Sequence, residues 1–182
     1  MAAVDHRRRR GILAVLCLLA ALPLLRAEGP EASEYQVKAA FLMNFTKFVE
    51  WPPSAFRDSS QPITICVYGE DPFGAALDQV IEGENVAGRR LAVERLRRPA
   101  APKTCHVLFI SRSEHDPSAI VASAGPGVLT VSDRDGFLHD GGVIAFVLQA
   151  RHVRFDISLR AAAKASLVIS SRLLNVARTV VR

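Results

Sequence analysis

The sequence predicts a single three-layer α/β domain: a mostly parallel sheet, helices on both faces, and an antiparallel C-terminal edge hairpin. Three observations predict it. Short apolar, β-branched runs alternate with stretches of helical period, and the links between them are short and rich in Gly, Pro or Asp. Two runs near the C-terminus, 143–148 and 152–157, are separated only by Gln149-Ala150-Arg151, a hairpin spacing. The 182 residues suffice for one domain with a real core, and a composition 49% hydrophobic and 23% charged excludes a wholly disordered chain. No window repeats at a fixed period, which argues against a solenoid or propeller.

The first segment reads as an export signal. Arg7 to Arg10 form a basic block, an apolar run follows from Gly11 to Leu25, and a small-residue site stands near Ala27. That run is shorter than the roughly 20 residues a membrane-spanning helix needs, so cleavage of residues 1–27 is favoured over a retained anchor. Cys17 follows Leu16 within the apolar run, so it reads as part of the discarded leader rather than a lipid attachment site. The whole chain carries a formal charge of +5, but the residues after 27 hold 18 Lys and Arg against 17 Asp and Glu, or +1. The basic balance belongs to the leader, and nucleic-acid binding loses its main support.

Residues 28–33 are small, polar, Pro or Gly and read as a flexible lead-in. Val37, Phe41, Phe45 and Phe48 recur at helical spacing over 34–50, where Pro52 and Pro53 stop the helix. Their stripe is core, or else a patch for a partner. Residues 63–68 form a buried strand, and Asp71-Pro72 opens a helix carrying Phe73, Ala76, Leu77 and Val80. Strands follow at 90–96, 106–111 and 128–131, with a short helix over 118–124. One long helix over 158–176 closes the chain, with Leu159, Ala163, Leu167, Ser170 and Leu174 on one face.

No residue pattern recommends catalysis. Nothing matches Gly-x-Ser-x-Gly, a phosphate-binding loop or a dinucleotide fingerprint, and His106, His115 and His152 lack the paired spacing of a zinc site. His139 beside Asp140 has no accompanying nucleophile. Ser132 to Gly136 lacks the further ligands of a calcium loop and reads as a turn. Catalytic residues, cofactors and metals are therefore expected to be absent. Arg89, Arg90, Arg95, Arg97 and Arg98 read as a solvated strand face, with an anionic ligand as the alternative. After the leader, two cysteines remain, Cys66 in one strand and Cys105 at the start of another. Neighbouring strands bring such positions within disulfide reach, as a plain staple or as a redox switch.

Three stretches together resemble the YfiR-like family of exported bacterial regulators (YfiR/HmsC type). The first is Tyr35-Gln36-Val37-Lys38-Ala39-Ala40-Phe41 with Asn44-Phe45-Thr46-Lys47-Phe48-Val49-Glu50-Trp51-Pro52. The second is Leu129-Thr130-Val131-Ser132-Asp133 with Gly136-Phe137 and Gly141-Gly142-Val143-Ile144. The third is Val153-Arg154-Phe155-Asp156-Ile157-Ser158-Leu159 with Ser170-Ser171-Arg172-Leu173-Leu174. The resemblance implies a YfiR-like domain over 34–182 and a homodimer in the periplasm. It implies binding to the periplasmic domain of an inner-membrane diguanylate cyclase, which is held inactive, so that cyclic di-GMP and biofilm formation fall. An outer-membrane lipoprotein can sequester such a regulator. It also implies a disulfide matching Cys66–Cys105, while the second cysteine pair of some members is missing here. Ser166 stands where the last helix of the family often has Gly.

Candidate partner-binding residues on the first and last helices are Tyr35, Lys38, Lys47, Trp51 and Arg172. A second reading is a periplasmic small-molecule sensing module acting on a membrane signalling protein such as a sensor kinase. Open α/β sheets bind ligands outside the carboxyl ends of their strands, which places Glu70, Asp71, Asp133 and Asp135 as candidate ligand-binding residues.

Overall fold

The computed structural model describes residues 30–97, 102 and 104–182. The leader, Cys17 and Arg98 lie outside the described residues. Helix α1 (Pro30–Phe48) runs into β1 (Val49–Glu50), and a 3-10 turn follows at Pro53–Ala55. Then come β2 (Ile63–Tyr68), α2 (Ala75–Ile81), β3 (Asn85–Val86), β4 (Arg89–Leu96), β5 (Val107–Ile110) and α3 (Pro117–Ala124). The chain continues through β6 (Leu129–Ser132), β7 (Ile144–Gln149), β8 (His152–Ser158), α4 (Leu159–Lys164), β9 (Val168–Ile169), α5 (Ser171–Val176) and β10 (Thr179–Val181).

The main sheet has eight strands in the order β3-β4-β2-β5-β6-β7-β8-β10. Its five central strands, β4 to β7, are parallel; β8 returns antiparallel on β7 and β3 antiparallel on β4. This is the mostly parallel α/β architecture the sequence predicts. Strand β10 adds to the outer side of the hairpin, parallel to β8. A separate two-stranded ribbon joins β1 to β9.

Alternation along the buried strands divides the core between two faces. Ile65, Val67, Val107, Phe109, Leu129, Val131, Ile144, Phe146, Phe155 and Ile157 point toward α1 and α2. Cys66, Leu108, Ile110, Val128 and Ala145 point the other way, against α3 and Phe137. The phenylalanine stripe is core. Phe45 lies 5.1 Å from Phe155 and 5.8 Å from Phe146, ring centre to ring centre, and Phe41 closes on the same pair. Burying each such ring contributes about 1.5–3 kcal/mol.

Helix α1 is already formed at Pro30, ahead of the expected start, because Pro is tolerated in the first turn, where its missing N–H costs nothing. Its inner line includes Tyr35, Lys38, Ala39, Leu42 and Phe45, and of the expected stripe only Phe45 lies on it. Phe41 and Phe48 sit on the flank of that line, and Val37 is 44% exposed. The rotation places a lysine inward, which is tolerable only where its charge is met.

The expected long C-terminal helix is two short ones. After α4 the chain enters the left-handed region at Ser166 (φ 59°). Leu167 N–H then donates to Ala162 O and Ser166 N–H to Ala163 O, both at 2.9 Å, the paired bonds of a Schellman stop. Ser170 restarts a helix by accepting from Arg172 N–H through its hydroxyl. The leucine spacing is helical across the break, and neither Gly nor Pro marks it. Glycine carries no penalty in this conformation, so Ser166→Gly is expected to stabilise the fold by about 1 kcal/mol in urea unfolding.

His106 is a satisfied core histidine. Its Nδ1 accepts from Thr64 N–H at 3.0 Å, so Nε2 carries the hydrogen and donates to Ala55 O at 3.1 Å. The ring stacks on Phe56 at 4.4 Å, and the Arg89 guanidinium lies over the Phe56 ring, 3.9 Å from its centre. Burial lowers its pKa, with the Arg89 charge adding to the effect. An unfolded chain takes up a proton near pH 6.5 that the folded chain refuses, so stability is full above that pH and falls below it. The melting temperature is expected to decline between pH 6.5 and 5, and His106→Gln to flatten that decline.

Candidate functional site

The sheet order creates a switch point between β2 and β5. From β2 the chain crosses through α2, on the α1 side, to reach β4; from β5 it crosses through α3, on the opposite side, to reach β6. The two connections diverge and leave a crevice beyond the carboxyl ends of β2 and β5. A cleft of about 430 Å³ lies there, lined by Glu70 and Pro72 after β2, Ser111, Arg112 and Ser113 after β5, and Glu31 and Tyr35 from α1.

Under the cleft, α1 is tied to the turn after β6. Asp133 Oδ2 accepts from Tyr35 O–H at 2.6 Å and from Lys38 Nζ at 2.7 Å. Lys38 also pairs with Glu34 at 2.5 Å, one helical turn earlier. The side chains of Lys38 and Asp133 are each only 4% exposed. Burial pushes the Tyr35 hydroxyl well above the ordinary range for tyrosine, and the bond to Asp133 and its negative charge push the same way. Asp133 Oδ1 is buried with no hydrogen-bond partner among the described residues. An unmet buried oxygen of this kind costs about 1–3 kcal/mol.

The turn after β2 is close-packed. A Cβ at Gly69 (φ 91°) would stand 2.3 Å from Glu114 Oε1, so only glycine lets that buried carboxylate lie over the turn. Ser111 and Ser113 hydroxyls lie 3.0 Å apart, and Arg112 reaches Glu31 at 2.8 Å across the mouth of the cleft.

The structure places the sequence-predicted residues in different settings. Tyr35 and Lys38 turn inward and meet Asp133, so two expected partner contacts and one expected ligand residue form a single buried cluster. Glu70 is exposed at the cleft mouth. Asp71 is engaged elsewhere: Oδ1 accepts from Phe73 and Gly74 N–H at the entry to α2, and Oδ2 binds Arg95 Nε at 2.7 Å. Asp135 is exposed on the opposite side of the sheet, beside a larger groove of about 1060 Å³ that also takes in His139 and Asp140. Lys47 pairs with Glu84, Trp51 is half-buried and donates Nε1–H to His106 O, and Arg172 is exposed on α5. Arg95, from the basic strand, is held by Asp71 and Asp78, which agrees with a solvated face. Sequence reasoning missed Ser111-Arg112-Ser113, although extending the carboxyl-edge rule to the end of the third strand would have found it.

Cys66 and Cys105 are joined. Their Cα atoms stand 5.7 Å apart, and the bond fastens the centre of β2 to the segment entering β5, on the face opposite α1. Both strands that form the switch point are thereby clamped together.

A YfiR/HmsC-like family model matches residues 35–178, from the inner face of α1 to the arginine before β10. The chain belongs to the YfiR/HmsC-like family. No curated protein matches it. The YfiR/HmsC-like family is regulatory and non-catalytic, works in the periplasm in cyclic di-GMP signalling, and associates with a membrane signalling partner.

Proposed function

We propose that the protein, exported by cleavage after its leader of residues 1–27, binds the periplasmic domain of an inner-membrane diguanylate cyclase and holds it inactive. The consequence is lower cyclic di-GMP and less biofilm. Sequestration by an outer-membrane lipoprotein would relieve the inhibition, and the acting form is a homodimer. The family match over residues 35–178 carries this reading. A regulator of this kind needs no reactive group, only a surface with higher affinity for the inactive cyclase than for the active one.

Exposed apolar side chains suggest where that surface lies. Val37 on α1, Val168 on β9 and Val176 on α5 are exposed, and their elements are joined: α1 packs against α5, and β1, which continues α1, pairs with β9. Arg172 stands on the same α5. Purified mature protein added to inner membranes carrying the cyclase is expected to reduce GTP conversion at least tenfold at saturation. Val176→Asp should relieve that inhibition without lowering the melting temperature by more than a few degrees. Undiminished turnover at saturating protein would contradict the proposal.

A further inference from the structure

We propose that the cleft at the β2/β5 switch point binds a small zwitterion, a molecule carrying one carboxylate and one ammonium group, of which a free α-amino acid is the simplest kind. The charges of the cleft select this class. Arg112 presents a planar guanidinium suited to a carboxylate, beside the hydroxyls of Ser111 and Ser113. Across from them Glu70 presents an exposed carboxylate that has no partner among the described residues. A purely anionic ligand would meet Glu70 and Glu31, and a purely cationic one would meet Arg112. A ligand with both charges is met by both. The Tyr35 ring and Pro72 supply an apolar wall for a side chain.

Glu31 already occupies one side of Arg112, at 2.8 Å, with both side chains more than half exposed. It acts as an internal stand-in for the ligand carboxylate. An ion pair this exposed costs an incoming carboxylate no more than about fivefold in affinity to displace. Glu31 stands in the first turn of α1, the helix that also carries the exposed Val37, so the cleft and a face that a protein partner can reach share one element.

The test uses purified mature protein at fixed ionic strength and each of the twenty standard amino acids separately, read by thermal shift and then by calorimetry. At least one amino acid is expected to bind saturably. Its deaminated and decarboxylated analogues should bind at least tenfold more weakly. Arg112→Ala and Glu70→Gln should each weaken binding about tenfold or more, whereas Glu31→Gln should tighten it up to about fivefold. All three affected residues are exposed, so these variants are expected to fold, and melting temperature confirms that they do. Three results would overturn the proposal: no binding by any of the twenty, equal binding of a singly charged analogue, or weaker binding by Glu31→Gln. None of these readings depends on the cyclase, so failure here leaves the regulatory proposal standing.

Discussion

Replacing both Cys66 and Cys105 by serine is expected to destabilise the protein by about 3–4 kcal/mol, because the bond closes a loop across a sequence separation of 39. For a domain of this size that corresponds to a melting temperature lower by about 8–15 °C. Both cysteines are buried, and the loop they close contains α2 and two of the eight strands of the main sheet, β3 and β4. The effect acts mainly on the unfolded chain, so native secondary structure by circular dichroism should be unchanged below the transition. Intact-mass labelling of protein taken from the periplasm should find neither thiol reactive until reductant is added. Immediate labelling of both would remove the bridge, and a melting temperature within 3 °C of the parent would remove its energetic role.

Lys38→Met is expected to cost about 3–5 kcal/mol, an effect comparable to loss of the disulfide. Truncating the ammonium leaves the Asp133 carboxylate buried, with one oxygen already unpartnered and only the Tyr35 hydroxyl on the other. Asp133→Asn should cost less, about 1–3 kcal/mol, because Lys38 keeps its bond to Glu34, whose side chain still reaches solvent. The double variant should be far less damaging than the sum of the two, since the charge stranded by either single change is then absent. Urea unfolding with an unchanged m-value measures all three. Single variants that both fall within 1 kcal/mol of the parent would show that the buried pair carries no structural weight.

The buried strands were the most legible part of the sequence. The strand expected at 63–68 is reproduced as Ile63–Tyr68, because an uninterrupted β-branched run buried on both faces has few alternatives. The C-terminal segment misled for a physical reason. Leu159, Leu167 and Leu174 keep helical spacing across a Schellman stop whose left-handed residue is serine. The C-terminal hairpin was legible from its spacing and not from its turn residues. Ala150-Arg151 joins β7 to β8 with positive φ at both positions, without the Asn or Gly that normally advertises such a turn. Strand β10 is only three residues long and gains its identity from pairing with β8.

The candidate site was legible in its parts and not in its assembly. The carboxyl-edge rule drew attention to Glu70, which lines the cleft, and to Asp133, which the structure places in the buried cluster with Tyr35 and Lys38. Tyr35 and Lys38 were singled out for a different role, on the exposed side of a helix, since a lysine in an amphipathic segment normally faces water. What turns Lys38 inward is an aspartate 95 positions away, and no local pattern encodes that.

The central claim is repression of a membrane cyclase, and cellular cyclic di-GMP tests it most directly. It is to be measured in a deletion strain, its parent and a strain complemented from a plasmid. The account predicts a rise on deletion that complementation reverses. Equal levels in all three strains under several growth conditions would contradict it.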